Sequence, residues 1–179
     1  MIDQDFICVR CARHTKTCCQ RSEVYATAGD VKRIAAHTGR EGFTEFKSAA
    51  GSDYLAQDDD PTWRDHVFRA DGTRRVLVRH ANGDCTFLGD QGCVLPLEVR
   101  PLVCRLYPFD YTDEGVREDL APGCPLELLA EGQGLLAALD MHRDDAHRWH
   151  RQLYEELRRE GREGVTEERQ RNSSAQQSA

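Results

Sequence analysis

Eight of the 179 residues are cysteine, at Cys8, Cys11, Cys18, Cys19, Cys85, Cys93, Cys104 and Cys124. Cys8 and Cys11 have the tight spacing that lets two thiolates grip one metal ion from a single turn. Thiolate sulfur is soft, so such ligands select zinc, iron–sulfur clusters or copper(I) over hard cations. Four thiolates complete a tetrahedral zinc site or hold one iron–sulfur cluster. Eight therefore suit two such sites, or one polynuclear site with bridging sulfur. The spacing alone leaves the partition open. Successive side chains tend to diverge, so the adjacent pair Cys18 and Cys19 suits two neighbouring centres better than chelation of one. All eight are candidate metal ligands.

The competing reading makes each cysteine a small buried hydrophobe. It suits Cys104, which follows Leu102-Val103, and suits poorly the N-terminal four, which stand among Arg10, Arg13, His14, Thr15 and Lys16. Arg100 and Arg105 bracket Cys104 and are candidate cofactor-binding residues. A four-thiolate centre carries a charge of about −2, which a guanidinium can neutralise. The same planar group is equally suited to pairing a carboxylate. His14 lies in the Cys11–Cys18 interval and is an alternative ligand. His142, His147 and His150 are read as surface or packed residues, with His142 in an apolar seam beside Trp149. No carboxylate–histidine pattern recurs on a second helix to make them a di-iron site. The run Asp58-Asp59-Asp60-Pro61 lacks the spaced ligands and glycine of a calcium loop and reads as solvated surface.

The chain has 24 Lys+Arg against 31 Asp+Glu, a net charge of −7, with 39% hydrophobic and 31% charged residues. This is the composition of an ordinary, rather polar globular protein. Its acidic balance argues against nucleic acid as a partner. No stretch approaches the roughly 18–20 apolar residues of a membrane span, and the first residues lack the basic and apolar regions of a secretory signal. A cytoplasmic location is expected, where cysteine clusters more often mean metal or redox chemistry than disulfides. A secreted disulfide scaffold is the minor alternative allowed by the even count. There is no dinucleotide fingerprint and no phosphate loop, so the chain is not expected to be a stand-alone enzyme. A protein partner of unknown identity is possible, and neither nucleic acid nor membrane is expected as a partner.

These ligands must be positioned by short elements. Cys8 to Gln20 has no helical or strand period and reads as a loop. Thr27 with Asp30 makes a capping box opening a helix with the stripe Val31, Ile34 and Ala35, stopped at Gly39. A second short helix is predicted over Phe43 to Ala50, and Gly51 to Thr62 reads as a loop. His66 to Arg69 and Val76 to Val78 flank the turn Asp71-Gly72 as a hairpin. Cys85 to Leu88 and Cys93 to Leu95 flank a second tight turn, placing Cys85 and Cys93 at its ends. A short helix is predicted from Glu98 to Arg105, supported by Pro101. A hairpin over Phe109 to Thr112 and Val116 to Leu120 follows, then a short helix over Leu126 to Ala130. Leu135, Leu139, His142, Ala146, Trp149 and Leu153 lie on one continuous helical face that Leu157 extends. Residues after Gly161 are polar and read as a disordered tail.

Cys8-Val9-Arg10-Cys11 with Cys18-Cys19, then Cys85-Thr86-Phe87-Leu88 to Cys93, then Arg100-Pro101-Leu102-Val103-Cys104-Arg105-Leu106-Tyr107-Pro108-Phe109 and Cys124-Pro125, resemble the YkgJ-type cysteine-cluster family. Part of flagellin lysine N-methylases belongs to that family. The resemblance runs from about Phe6 to Leu128 and implies a zinc- or iron-chelating domain. In the family the first four cysteines stand closer together than here, where Ala12 to Thr17 separate Cys11 from Cys18.

The expected architecture is α+β: a small irregular metal-stapled domain of short helices and β-hairpins, followed by a long C-terminal helix. Residues 1–128 form the cysteine-cluster domain, 129–161 a helix packed on it, and 162–179 the tail. The expected function is metal binding by eight thiolates holding iron–sulfur or zinc in one or two sites. Iron–sulfur would point to redox or electron transfer, and zinc to a structural or adaptor module without catalysis. Copper(I) or general metal storage is disfavoured, because it would need exposed, flexible thiols.

Overall fold

The computed structural model describes residues 7–51 and 59–176, with side chains as far as Gly161. The architecture is α+β, as expected, with short helices and small antiparallel hairpins leading to a long C-terminal helix. In order these are α1 (Ile7–His14), α2 (Cys18–Arg21), α3 (Ala28–Thr38), β1 (Thr44–Ser48), α4 (Pro61–Val67) and β2 (Thr73–Leu77). Then come β3 (Leu88–Gly89), β4 (Gly92–Cys93), α5 (Leu102–Leu106), β5 (Phe109–Thr112), β6 (Gly115–Leu120), α6 (Leu135–Ala138) and α7 (Arg143–Gln176). Single 3₁₀ turns at Leu97–Val99 and Leu126–Leu128 precede α5 and α6.

The described strands form three separate pairs, β1–β2, β3–β4 and β5–β6. A two-stranded sheet is marginal in water by itself, so each must lean on something else. The long helix α7 supplies the main support. Ala146, Trp149, Leu153 and Leu157 on one of its faces are buried against Trp63 and Val67 of α4 and Leu102 and Leu106 of α5. A second cluster joins Ile34 of α3 to Phe43, Leu77, Phe87 and Leu95. A third, smaller one joins Ile7 of α1 to Ala138 and Leu139.

Buried polar groups tie these pieces together. Thr27 and Asp30 form the capping box of α3, Asp30 Oδ2 accepting from Thr27 N at 3.0 Å and Thr27 Oγ1 from Asp30 N at 2.9 Å. Gly39 ends α3 in the left-handed conformation, φ 66°, which glycine adopts without a Cβ penalty. Asp30 also accepts from Leu102 N at 3.1 Å, fixing the start of α5. Arg33 bridges Asp30 and Glu156 of α7, both at 2.6 Å. One ion-pair network therefore holds α3, α5 and α7 in register.

Several local expectations fail for identifiable reasons. Cys8 to Gln20 is not a loop but two helices, α1 and α2. Ile7 and Cys11, four residues apart, form the buried face of α1, and Gln20 Oε1 accepts from Thr17 N at 3.1 Å at the start of α2. Phe43 to Ala50 is not a helix: β1 pairs in register with β2, Thr44 opposite Leu77 and Ser48 opposite Thr73. Phe43 is buried, but Phe46 is 41% exposed and lies under the Arg69 guanidinium. His66 and Val67 belong to α4 rather than to a strand, because Asp60 caps that helix by accepting from Trp63 N at 2.9 Å. Asp60 is thus buried and engaged, not solvated, and Tyr154 donates to it from α7; Asp58 lies outside the described residues.

Glu98 to Arg105 splits at Arg100-Pro101, since proline disfavours helical backbone in the preceding residue. Leu126 to Ala130 forms only a 3₁₀ turn. The seam predicted from Leu135 to Leu153 is interrupted at Asp140, φ 50°, so α6 and α7 are separate helices. His142 is consequently exposed rather than buried beside Trp149, whereas His150 is buried with Nε2 2.6 Å from Thr112 O. The helix α7 continues beyond Gly161 to Gln176, through a segment rich in the good helix formers Glu, Arg and Gln.

Candidate metal centre

The cysteines sit on six separate stretches of chain. Cys8 and Cys11 lie on α1 and Cys18 and Cys19 on α2. Cys85 precedes β3, Cys93 ends β4, Cys104 is on α5, and Cys124 follows β6. All eight are free thiols.

Local hydrogen bonds bring these stretches together. Cys85 N donates to Cys19 O at 2.9 Å, Gln20 Nε2 donates to Asp84 Oδ1 at 3.1 Å, and Arg79 donates to Ser22 O. These three bonds clamp α2 to the segment 79–85. Leu88 N closes back on Cys85 O at 2.9 Å, and Leu88 is paired with Cys93 across the β3–β4 hairpin. The hairpin is shorter than expected: Cys93 ends β4, but Cys85 lies in the turn 85–88 ahead of β3 rather than on a strand. Cys19, Cys85 and Cys93 all pack into the cluster around Phe87 and Leu95. At the other end α1 packs against the 3₁₀ turn Leu126–Leu128, directly after Cys124.

The thiols perturb one another accordingly. Burial, then the Cys18 and Cys124 thiols, pushes Cys8 up to about 12, while the Arg100 guanidinium pulls the other way. Burial and then Cys18 raise Cys11, with Arg21 opposing. A hydrogen bond between the adjacent thiols lowers Cys18 to about 6 and raises Cys19. Cys85 and Cys104 are raised by burial and then by other thiols, Cys93 and Cys18 respectively being among them. Cys124 is raised by burial, against a hydrogen bond with the Tyr107 hydroxyl. Thiolates in one neighbourhood repel, so each nearby thiol makes its neighbour harder to ionise.

The donor set is nearly all sulfur. His14 is exposed at the end of α1. Among the described residues, no three His, Cys, Asp or Glu side chains already form a shell that would hold a metal ion. The chemistry of the gathered donors nevertheless fits zinc or iron–sulfur, both of which thiolates bind.

Arg100 lies beside Cys8 and also donates from Nε to Leu95 O at 2.9 Å. Arg105 faces elsewhere: its Nε donates to Arg100 O at 2.8 Å, and Glu98 is 3.4 Å from Nη1. Three neighbours were not singled out from the sequence. Arg21 stands near Cys11 and Cys18, Arg79 near Cys85, and Tyr107 on Cys124. Arg21 could have been found from its position three residues after Cys18 on a helix; Arg79 and Tyr107 depend on long-range packing.

No helix among the described residues is long and apolar enough to cross a membrane. No curated protein and no solved structure was found to match the chain. A family model does match, over residues 7–125, and its description is "CxxCxxCC: Putative zinc- or iron-chelating domain". That interval holds all eight cysteines and every hydrogen bond of the α2 clamp, so the chain belongs to the CxxCxxCC cysteine-cluster family.

Proposed function

We propose that the eight cysteine thiolates hold metal, as iron–sulfur or zinc, and that the domain serves redox or electron-transfer chemistry. The observation that supports this reading is that free thiols from six stretches of chain act on one another electrostatically, Cys18 and Cys124 on Cys8, and Cys18, Cys85 and Cys93 on Cys104. Cys8 and Cys18 are exposed while Cys85 is buried, so a centre held by these ligands would reach from the interior to the surface, as electron exchange with a partner requires. Arg100 beside Cys8 and Arg21 beside Cys18 would offset the negative charge of the thiolates. When bound, an iron–sulfur cluster would supply one-electron chemistry. The chain's own part is to supply thiolates, limit water on the buried side and set the surrounding charge.

A second reading, zinc as a structural staple in an adaptor module, is favoured by a different observation. Three isolated two-stranded sheets cannot stabilise themselves, and Cys93 ends β4 while Cys85 precedes β3 and Cys124 follows β6. The two readings separate on protein purified without oxygen. A brown sample with broad absorption near about 400 nm and stoichiometric iron and sulfide supports the redox reading. A colourless sample holding stoichiometric zinc supports the staple. A metal-free, fully folded protein refutes both.

A further inference from the structure

We infer that the surface carrying Cys8 and Cys18 is a docking face for an acidic protein segment with apolar side chains at its centre. For its purpose this face rests on the reading of the thiols as metal ligands; for its geometry it rests on charge and exposure.

Four large apolar side chains are exposed among the described residues: Phe46, Val94, Leu97 and Leu126. Phe46 stacks under the Arg69 guanidinium. The other three belong to cysteine-bearing segments. Val94 follows Cys93 and is 64% exposed, and Leu97 lies in the 3₁₀ turn just beyond it. Leu126, 60% exposed, opens the 3₁₀ turn after Cys124. The helix α1 packs against both β4 and that turn, so Val94 and Leu126 border the helix that carries Cys8 and Cys11. A singly exposed apolar residue is ordinary, whereas apolar groups rimmed by polar ones mark a contact surface.

The rim is basic. Residues 7–21 hold Arg10, Arg13, Lys16 and Arg21 and no Asp or Glu, in a chain whose net charge is −7. Arg13, Lys16 and Arg21 are exposed, as are Cys8 and Cys18 among them. Arg100 adds a further cation near Cys8, held through Nε by Leu95 O at 2.9 Å. The carboxylates nearby are mostly engaged. Asp84 accepts from Gln20 Nε2 at 3.1 Å, and Glu98 lies 3.4 Å from both Arg105 and Arg148. Glu127, next to Leu126, is exposed. An apolar centre inside a basic rim suits a protein surface of the opposite charge, which such a field also steers into contact.

A membrane and a nucleic acid fit the same face less well. The apolar side of α1, Ile7 and Cys11, is buried in the protein, so this helix has no apolar face free to lie in a lipid interface. The exposed apolar groups beside the cysteines are aliphatic and offer no ring on which bases stack.

The test uses full-length protein purified without oxygen, its metal content measured, and a short fluorescein-labelled peptide of Glu and Asp around a central pair of leucines. Fluorescence anisotropy should show binding that weakens roughly tenfold between about 0.02 and 0.2 M salt. Arg13→Glu with Lys16→Glu should weaken it about tenfold or more at low salt. Val94→Ser with Leu126→Ser should weaken it roughly threefold to tenfold, and should have no effect on a peptide with serine in place of the leucines. Lys32→Glu with Arg151→Glu, at exposed positions of α3 and α7, should leave the affinity within about twofold. None of these variants removes a thiol, so each should keep the metal content of the unchanged chain. An equal loss in the Lys32 and Arg151 pair, no binding of the peptide at low salt, or tighter binding to phosphatidylserine vesicles or to RNA than to the peptide would overturn the docking face. Protein that binds the peptide in the expected pattern yet holds no metal would uphold the face and remove the metal reading.

Discussion

Gly29, in the first turn of α3, offers a sharp test of how the framework holds the cysteine-bearing helices. In an exposed helix, glycine to alanine would stabilise by at most about 1 kcal/mol. Here a Cβ at position 29 would stand 2.3 Å from Glu156 Oε2 and 2.4 Å from its Cδ. That carboxylate cannot swing away freely. It accepts from Arg33 at 2.6 and 3.2 Å, from Gln152 at 3.0 Å and from Thr27. Hydrogen bonds to a charged group contribute about 1.5–3 kcal/mol each. Displacing Glu156 from its set, with partial repair by Arg33 turning wholly to Asp30, costs about 2–3 kcal/mol on that scale. Set against the propensity gain, Gly29→Ala should destabilise by about 1–2 kcal/mol. In urea unfolding monitored by circular dichroism, the midpoint should fall by roughly 0.5–1 M for an m-value of about 2 kcal/mol/M. In a Glu156→Ala background the obstacle is gone, and the same substitution should become neutral or stabilising. Equal or greater stability of Gly29→Ala in the otherwise unchanged chain would refute the reasoning.

The acid response follows from this network and from the separate Glu23–Arg74 pair. Burial pushes the Glu156 and Glu23 carboxyls up, but ionic hydrogen bonds, chiefly from Arg33 and from Arg74, pull both below the ordinary 4.5. Their stabilisation is present above that value and is lost as pH falls through the lower folded values. Glu156→Gln should flatten the fall in melting temperature below about pH 4.5, and an unchanged slope would count against it. Tyr154→Phe removes the hydroxyl that Asp60 accepts in the core. It should cost about 1–3 kcal/mol in urea unfolding, the usual loss when a buried polar group is left short of a partner. Arg100→Ala should weaken zinc binding several-fold in a competition titration, because its charge stands beside Cys8. Arg100→Lys should recover most of the loss, and equal affinity in all three proteins would remove Arg100 from the site.

Much of the fold was legible where a local signal coincided with a tertiary one. Thr27 and Asp30 were readable as a cap because the box is local, and α7 from Ala146 to Leu157 because one apolar stripe runs along it. The Gly89–Gly92 and Asp113–Gly115 turns likewise announced their hairpins. The failures came where a residue carried two meanings. Cys11 was weighed as a ligand, although with Ile7 it also completes the apolar face of α1. Phe43 and Phe46 have helical spacing, but strand pairing with β2 and the Arg69 stack decide their conformation. Asp60 looked like part of an acidic surface run, yet it caps α4 and receives Tyr154 from a helix over ninety residues away. The cysteines themselves were legible as a set because thiols at such spacing have few other uses. Their neighbours Arg79 and Tyr107 were not, since no sequence pattern announces which distant side chain packing will bring to a sulfur.

The central claim, that sulfur from this chain binds metal, is tested most directly by X-ray absorption at the metal edge of protein purified without oxygen. The expected first shell is sulfur alone, at about 2.3 Å for zinc, with iron–iron scattering added if the metal is an iron–sulfur cluster. A shell of nitrogen and oxygen at about 2.0–2.2 Å would contradict it.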